Sequence, residues 1–363
     1  MRRVHVVVPD GVDDPARTSG GNTYDRRLCT GLAALGWDVH EQAVVGENAC
    51  GDAVFSAAAL ADVLARVPSG DPVILDGLVA SASPKALCAE AERLRLVLLV
   101  HLPLGLGEPE ADRVAPAPDG GTGTEQEQEA EAVHAVAAVI TTSRWTRRWL
   151  IDAYRLDPAR VAVAVPGADP APLTAGERAG RRLLCVGAVI PAKGHDVLLA
   201  ALARVAEPGW LCEFVGSLER DPGFVEHLRG RAVELGIADR VSFAGVLTGA
   251  ALEQAYARAD LFVTASRGET YGMAVTEALA HGIPAVATRV GGLPEALGHA
   301  PVGRRPGILV LPGDPVALAG VIGQWLGDPR LRERLRSAAA GRRGTLPTWA
   351  QTSSEVSRVL AED

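Results

Sequence analysis

Apolar positions along the chain fall into short β-branched runs that alternate with stretches of helical spacing. The run from Val4 to Val8, closed by Pro9-Asp10-Gly11, predicts a strand and a turn. Between Tyr24 and Leu35, the positions Leu28, Leu32 and Leu35 share one helical face, and Gly36 stops that helix. The alternation continues with a strand over Val39–Val45, a helix over Ala57–Arg66 and a strand over Val73–Leu75 closed by Asp76-Gly77. A helix over Pro84–Leu94 follows, then a wholly apolar strand over Leu96–Val100 that ends at His101. Pro116–Thr124 is rich in Gly and Pro and predicts a loop. Glu125–Ala137 predicts a helix and Ala138–Thr141 a strand.

The pattern breaks from Val165 to Gly180, where Pro, Ala and Gly dominate, and then restarts. Strands are predicted at Leu183–Val186, Cys212–Val215, Val241–Phe243, Leu261–Thr264, Ala285–Ala287 and Ile308–Val310. Helices are predicted at His195–Val205, Phe224–Leu235, Ala250–Arg258 and Met273–His281. Such alternation implies parallel strands with helices on both faces. The predicted class is therefore α/β, with two doubly wound domains facing each other across a cleft. Residues 1–166 form the first, 167–180 a linker and 181–346 the second. In open α/β sheets ligands bind beyond the carboxyl ends of the strands.

The length of 363 residues agrees with two domains at about 150 residues each. The net charge of −8 makes the chain a poor bulk binder of nucleic acid, so no nucleic-acid partner is expected. Cys29, Cys50, Cys88, Cys185 and Cys212 are scattered and form no CxxC pair. That spacing argues for reduced thiols in a cytoplasmic setting, with neither a disulfide frame nor a zinc site. The apolar start is too short for a secretory signal, and no run of about 18 apolar residues reads as a membrane span. Nearly every cation is Arg, and only Lys85 and Lys193 are lysine.

Four stretches sit where chemistry is expected. Around Ser266–Pro284 an apolar strand feeds a polar loop, and a helix opens near Gly272 or Met273 and is stopped by Gly282 and Pro284. The free N–H groups and dipole of that helix start make an anion site, which Gly272 lets a ligand approach. Glu269 before it and Glu277 one turn inside suit sugar hydroxyls, since carboxylates accept hydrogen bonds but repel phosphate. A lone pair of glutamates is more often a solvated loop and a helix surface, and the strand–loop–helix setting reverses that preference. In Cys185–His195, Lys193 stands just before a helix, placed to neutralise a phosphate; the bland alternative is an exposed loop lysine. Ser19-Gly20-Gly21-Asn22-Thr23 permits backbone approach to a ligand, although it is not GxGxxG and a flexible turn competes. His101 ends a buried strand, a position as often structural as functional. On the stretch carrying Arg144, Trp145, Arg147, Arg148, Trp149 and Arg155, membrane-surface contact competes with a helix whose aromatics are core and whose arginines are solvated; the second is preferred.

Together these stretches resemble the retaining family-4 glycosyltransferases of GT-B architecture. Glu269 and Glu277 match that family's paired glutamates, Lys193-Gly194 its donor-phosphate lysine, and Gly20-Gly21 its amino-terminal glycine loop. Pro166-Gly167-Ala168-Asp169 is similar to its linker and Gly291-Gly292-Leu293-Pro294-Glu295 to its late glycine loop. The last helix, about 347–363 and carrying Trp349, resembles the segment that packs back on the first domain. The resemblance implies a hexosyltransferase that moves a sugar from a nucleotide-diphosphate sugar to an acceptor, with retention at the anomeric carbon. It implies that the first domain takes the acceptor and the second the donor. Glu269, Lys193 and His101 would be the catalytic set. Glu277, Gly20, Gly21, Asn22, Tyr271, Gly272, Met273, Ala274 and Gly187 would bind the donor. The family needs no metal or other cofactor, in keeping with the lack of a DxD motif or His/Cys cluster here. One departure stands out: Ala188 occupies the place where the family usually has Arg, five residues before Lys193.

Neither the donor sugar and base nor the acceptor, which is a small metabolite, a glycan or a lipid, can be read from the chain. Two other classes compete. A nucleotide-sugar 2-epimerase shares the two-domain shape and needs an acid/base set that is not clustered in the sequence. A relative that binds nucleotide without transferring sugar is favoured by Ala188.

Overall fold

The computed structural model describes residues 2–14, 19–49, 52–106, 121–174, 176–301 and 303–362. The chain divides into two compact units, Met1–Gly167 with Pro347–Asp363, and Ala168–Leu346. Each is built on a six-stranded parallel sheet.

The first unit holds β1 (Arg2–Pro9), β2 (Trp37–Val44), β3 (Gly46–Ala49), β4 (Asp52–Phe55), β5 (Pro72–Asp76), β6 (Arg95–Val100), β7 (Ala138–Thr141) and β8 (Val161–Val163). Its main sheet runs β2-β1-β5-β6-β7-β8, and β3 and β4 pair as a separate antiparallel hairpin. Strand pleating sends alternate residues to opposite faces. Val7 of β1 thus joins a core with Leu75, Leu98 and Leu150, while Val4, Val6 and Val8 join another with Tyr24, Leu28 and Leu32. That second face is covered by the helices Gly20–Ala34 and Trp349–Ala361, the latter supplying Val356, Val359 and Leu360. The last helix opens with a reciprocal cap between Thr348 and Gln351. Its Ser357 Oγ accepts from Trp37 Nε1 at 2.9 Å, and its Thr352 Oγ1 donates to the Val165 carbonyl at 2.7 Å.

The second unit holds β9 (Arg182–Val186), β10 (Leu211–Val215), β11 (Val241–Gly245), β12 (Leu261–Thr264), β13 (Ala285–Thr288) and β14 (Gly307–Val310), ordered β11-β10-β9-β12-β13-β14. Trp210, Phe214, Leu198 and Trp325 are buried in its core. In both sheets the chain first adds strands on one side and then crosses to the other. The reversal falls between β1 and β5 in one sheet and between β9 and β12 in the other. Helices cover these α/β sheets, as the strand and helix alternation predicted, and the two-sheet architecture is the GT-B fold that the family resemblance implied.

Several local expectations change. The helix after Ser19 begins at Gly20, so the paired glycines form its first turn instead of a preceding loop. Ser19 causes this, since its Oγ accepts from the Asn22 N–H at 3.1 Å. A helix begins at Gly121, inside the stretch expected to be loop, while Pro116–Gly120 and Cys50 lie outside the described residues. The sequence reading also passed over the β3–β4 hairpin, the short helix Gly77–Ser81, β8 and the helix Leu293–Leu297.

Candidate active site

In the second unit, the carboxyl ends of β9 and β12 at the sheet's reversal carry the two stretches singled out in the sequence. Backbone contacts lock these stretches together. Arg267 N–H donates to the Ala192 carbonyl at 2.8 Å. A Cβ on Gly194, whose φ is +65°, would stand 2.1 Å from the Ala265 carbonyl oxygen. Only glycine lets the loops meet this closely. The result is a direct ion pair: Lys193 Nζ donates to Glu269 Oε2 at 2.6 Å, with both side chains partly covered.

Behind Glu269, the late glycine loop closes on the same backbone. Gly292 N–H donates to the Glu269 carbonyl at 2.9 Å, and a Cβ on Gly291 would overlap that oxygen at 1.7 Å. Gly272, at φ +102°, turns the chain into the helix Met273–Ala280. The first-turn amides of Met273 and Ala274 have no earlier carbonyl within that helix to bond. Tyr271 is buried and its phenol is pushed up by desolvation, so it offers its backbone here while its side chain serves the core. Glu277, one turn into the helix, has its carboxyl raised by burial, against the lowering hydrogen bond from Tyr256. Tyr256 Oη donates to Glu277 Oε2 at 2.7 Å, and its ring stacks on His281 at 5.0 Å between centroids. Gly187 lies beside the Lys193 side chain, and its carbonyl oxygen would be 2.0 Å from a Cβ on Gly216. Lys193, Glu269, Gly187 and the start of the Met273–Ala280 helix are thus tied into one loop cluster, and Glu277 follows one turn on.

The missing guanidinium at Ala188 is not replaced by a free Arg267. That side chain forks onto Asp196, at 2.9 and 2.6 Å, and also reaches the Pro191 carbonyl. Asp196 is correspondingly held below the usual carboxylate range, burial being outweighed by Arg267.

In the first unit, the carboxyl end of β5 and the Gly20–Ala34 helix after β1 meet at the other reversal point. Gly20, Gly21 and Asn22 form the first turn of that helix. Gly21 faces His101, since a Cβ there would be 3.3 Å from His101 Cδ2. His101 Nε2 lies 2.8 Å from Asp25 Oδ1 and 3.7 Å from Asp76 Oδ2, and all three residues have ligating atoms within 4.8 Å of one another. This corrects the expectation that no acid/base set is clustered. Asp25 and Asp76 were missed, although Asp76 ends a buried strand beside a turn glycine and Asp25 closely follows the glycine pair. The 2.8 Å separation is a direct hydrogen bond, so the imidazole itself occupies the space between the carboxylates. Burial alone would push the His101 pKa down, but the charge and hydrogen bond of Asp25 and the charge of Asp76 raise it. Asp76 is raised by burial and by Asp25, although it caps the amides of Leu78 and Val79. Downstream of His101, buried Glu129 accepts from the Leu104 and Gly105 amides at 2.9 and 3.0 Å. On the basic helix, Leu150 and Tyr154 are buried, Trp149 stacks edge-on with Tyr154, and Arg147 bonds the Val161 and Pro158 carbonyls.

Residues 177–342 match the family model described as Glycosyl transferases group 1. The chain is 36% identical over 231 residues to a D-inositol 3-phosphate glycosyltransferase of Acidothermus cellulolyticus, covering 57% of this chain and 50% of that protein. It is 32% identical over 244 residues to the protein of the same description from Jonesia denitrificans, covering 62% and 56%. The matched region thus spans about half the length of these relatives. Among solved structures, the sucrose-phosphate synthase of Thermosynechococcus elongatus superposes with a TM-score of 0.79 at 20% identity, covering 99% of this chain and 98% of that one. Anabaena HepE in complex with UDP and glucose superposes with a TM-score of 0.77 at 18% identity, over 99% of this chain and 100% of that one. Residues 177–342 thus match the Glycosyl transferases group 1 model, and the chain that carries them has the GT-B fold.

Proposed function

We propose that the chain is a retaining glycosyltransferase of the family-4 type, taking a nucleotide-diphosphate sugar as donor. The observation that carries this reading is the Lys193–Glu269 pair set beside the amino end of the Met273–Ala280 helix, with Glu277 one turn on. Lys193 and the helix start stabilise the departing diphosphate. Glu269 accepts hydrogen bonds from the transferred sugar and Glu277 from the ribose. The bond between the anomeric carbon and the phosphate oxygen breaks, and the acceptor oxygen bonds that carbon on the same face. The acceptor proton passes to the departing phosphate, so no protein nucleophile and no metal is required. In the first unit, Gly20, Gly21, Asn22 and His101 are assigned to substrate oxygens.

UDP-glucose is the donor to try first, given that a second HepE structure is a complex with UDP-glucose, and D-inositol 3-phosphate the acceptor, given the description of the relatives. Cys29, Cys88, Cys185 and Cys212 are free thiols, which supports a cytoplasmic setting, and no helix among the described residues is long and apolar enough to cross a membrane. Glu269→Ala and Lys193→Ala are each expected to lower transfer by about 10²-fold or more while the fold persists. Full activity in both variants would remove this site, and loss of turnover on chelation with EDTA would remove the metal-free mechanism. A second reading, nucleotide binding without transfer, is favoured by Ala188 and by the commitment of Arg267 to Asp196. Donor binding with no turnover across an acceptor panel would select it.

A further inference from the structure

Among the described residues, the hydrogen bond and the charges that hold the His101 ring meet it at Nε2. Its Nε2 meets Asp25 Oδ1 at 2.8 Å and lies 3.7 Å from Asp76 Oδ2, and both carboxylates are almost wholly buried. The second Asp25 oxygen, Oδ2, is buried and has no partner among the described residues. A carboxylate left half-satisfied in the interior is costly unless a nearby cation compensates it. Among the described residues, the titratable groups facing the ring are Asp25 and Tyr24 from the Gly20–Ala34 helix and Asp76 from the end of β5. Tyr24 sets its ring edge-on to the imidazole at 5.1 Å and spends its hydroxyl proton on the Ala164 carbonyl. Cys29, on the same helix, is raised by burial and by Asp25, and so stays a neutral thiol. No other cation faces Asp25 and Asp76 among these groups.

We propose that Asp25 and Asp76 are positioning residues for His101: they clamp Nε2 and keep the ring an imidazolium, so that Nδ1–H is offered as a charged donor to a substrate oxygen beside the Gly20–Ala34 helix start. The clamp stands on the geometry of the first unit alone. What Nδ1 meets rests on the sugar-transfer reading. Gly21 leaves the ring its room, since any larger residue would press on Cδ2. The raised pKa of His101 agrees with the clamp.

The test is ¹⁵N-imidazole NMR of the full chain, with the His101 signal among the eight histidines identified through His101→Gln. The wild-type ring is expected to stay doubly protonated through neutral pH. In Asp25→Asn its pKa should fall by about 1 pH unit or more, and in Asp76→Asn by less, because that oxygen is farther away. Circular dichroism checks that both variants fold, and the wild-type spectrum tests the clamp even where one does not. A neutral wild-type imidazole at pH 7 would overturn the proposal. So would an unchanged pKa in folded Asp25→Asn, or Zn²⁺ or Mn²⁺ shifting the His101 signal at micromolar concentration, which would make the cluster a cation site. Absence of sugar transfer with these NMR results intact would remove the transfer reading and leave the clamp.

Discussion

Tyr256 Oη has one proton, and it goes to Glu277 Oε2. The stack on His281 fixes the phenol ring, so the carboxylate is held in one orientation. Tyr256→Phe leaves a buried carboxylate oxygen unpartnered, a change worth about 1–3 kcal/mol. Donor KM is expected to rise on the order of 10-fold with kcat nearly unchanged, and a donor lacking the ribose hydroxyls should lose this sensitivity in steady-state assays. At His101 and Asp76 the folded pKa values are both raised. The folded cluster therefore binds more protons than the unfolded chain, and stability falls as pH rises. The His101 contribution is complete below about 6.5 and disappears as pH climbs through its raised value. Urea midpoints measured from pH 6 to pH 9 should decline for the transition that involves the first unit, and Asp25→Asn should flatten that slope. Glu269, Glu277 and Lys193 were legible in the chain because a strand, a glycine and a helix surround them. Asp25 and Asp76 were not, because their meeting with His101 depends on contacts across about seventy-five and twenty-five residues of chain that no local pattern encodes.

The loops at the ends of β9 and β12 depend on glycines at close backbone contacts. Gly194 and Gly216 would each place a Cβ about 2 Å from a carbonyl oxygen, and both have positive φ. Left-handed backbone costs a non-glycine residue about 1–2 kcal/mol before any clash. Gly194→Ala should lower the thermal midpoint and weaken nucleotide binding together, since the Ala265 loop must move and carry Arg267 and Glu269 with it. A melt and a calorimetric titration with UDP would check both. Alternating strands and helices were readable where a strand is mainly apolar and buried, as in β6 and β12, or where a helix carries one apolar face, as in Gly20–Ala34. Helix starts were less so. At Ser19 a side-chain cap draws Gly20 and Gly21 into a helix against their low propensity, whereas at Gly121 the helix enters a stretch read as loop from its glycines. The helix Leu293–Leu297 was hidden because it is a single turn whose identity comes from Gly291 and Gly292 packing on Glu269 and Thr270.

Each unit has its own sheet and buried core, so each is expected to respond to its own perturbation. A nucleotide that binds the second unit stabilises the folded form by mass action. UDP should therefore raise the calorimetric transition of residues 168–346 more than that of the other unit. Leu360→Ala, at a buried position of the last helix, should do the reverse, costing the first unit about 2 kcal/mol or more. Equal shifts of a single transition in both experiments would show that the units melt as one. The two-domain class was readable from the Pro- and Ala-rich break after Val165. The packing of the last helix was expected from family resemblance alone, because its apolar face names no partner.

That last helix gives the chain a constraint in time as well as in space. The Gly20–Ala34 face carrying Tyr24, Leu28 and Leu32 is covered by residues beyond Trp349. During synthesis at about 5–20 residues per second, the ribosome must add the whole second unit before that cover emerges. For roughly ten seconds or more the nascent amino-terminal sheet presents an oily, unsealed face. A trigger-type chaperone that engages the nascent chain during this interval should raise the yield of native protein, and moving the last helix to the amino terminus by circular permutation should remove that dependence.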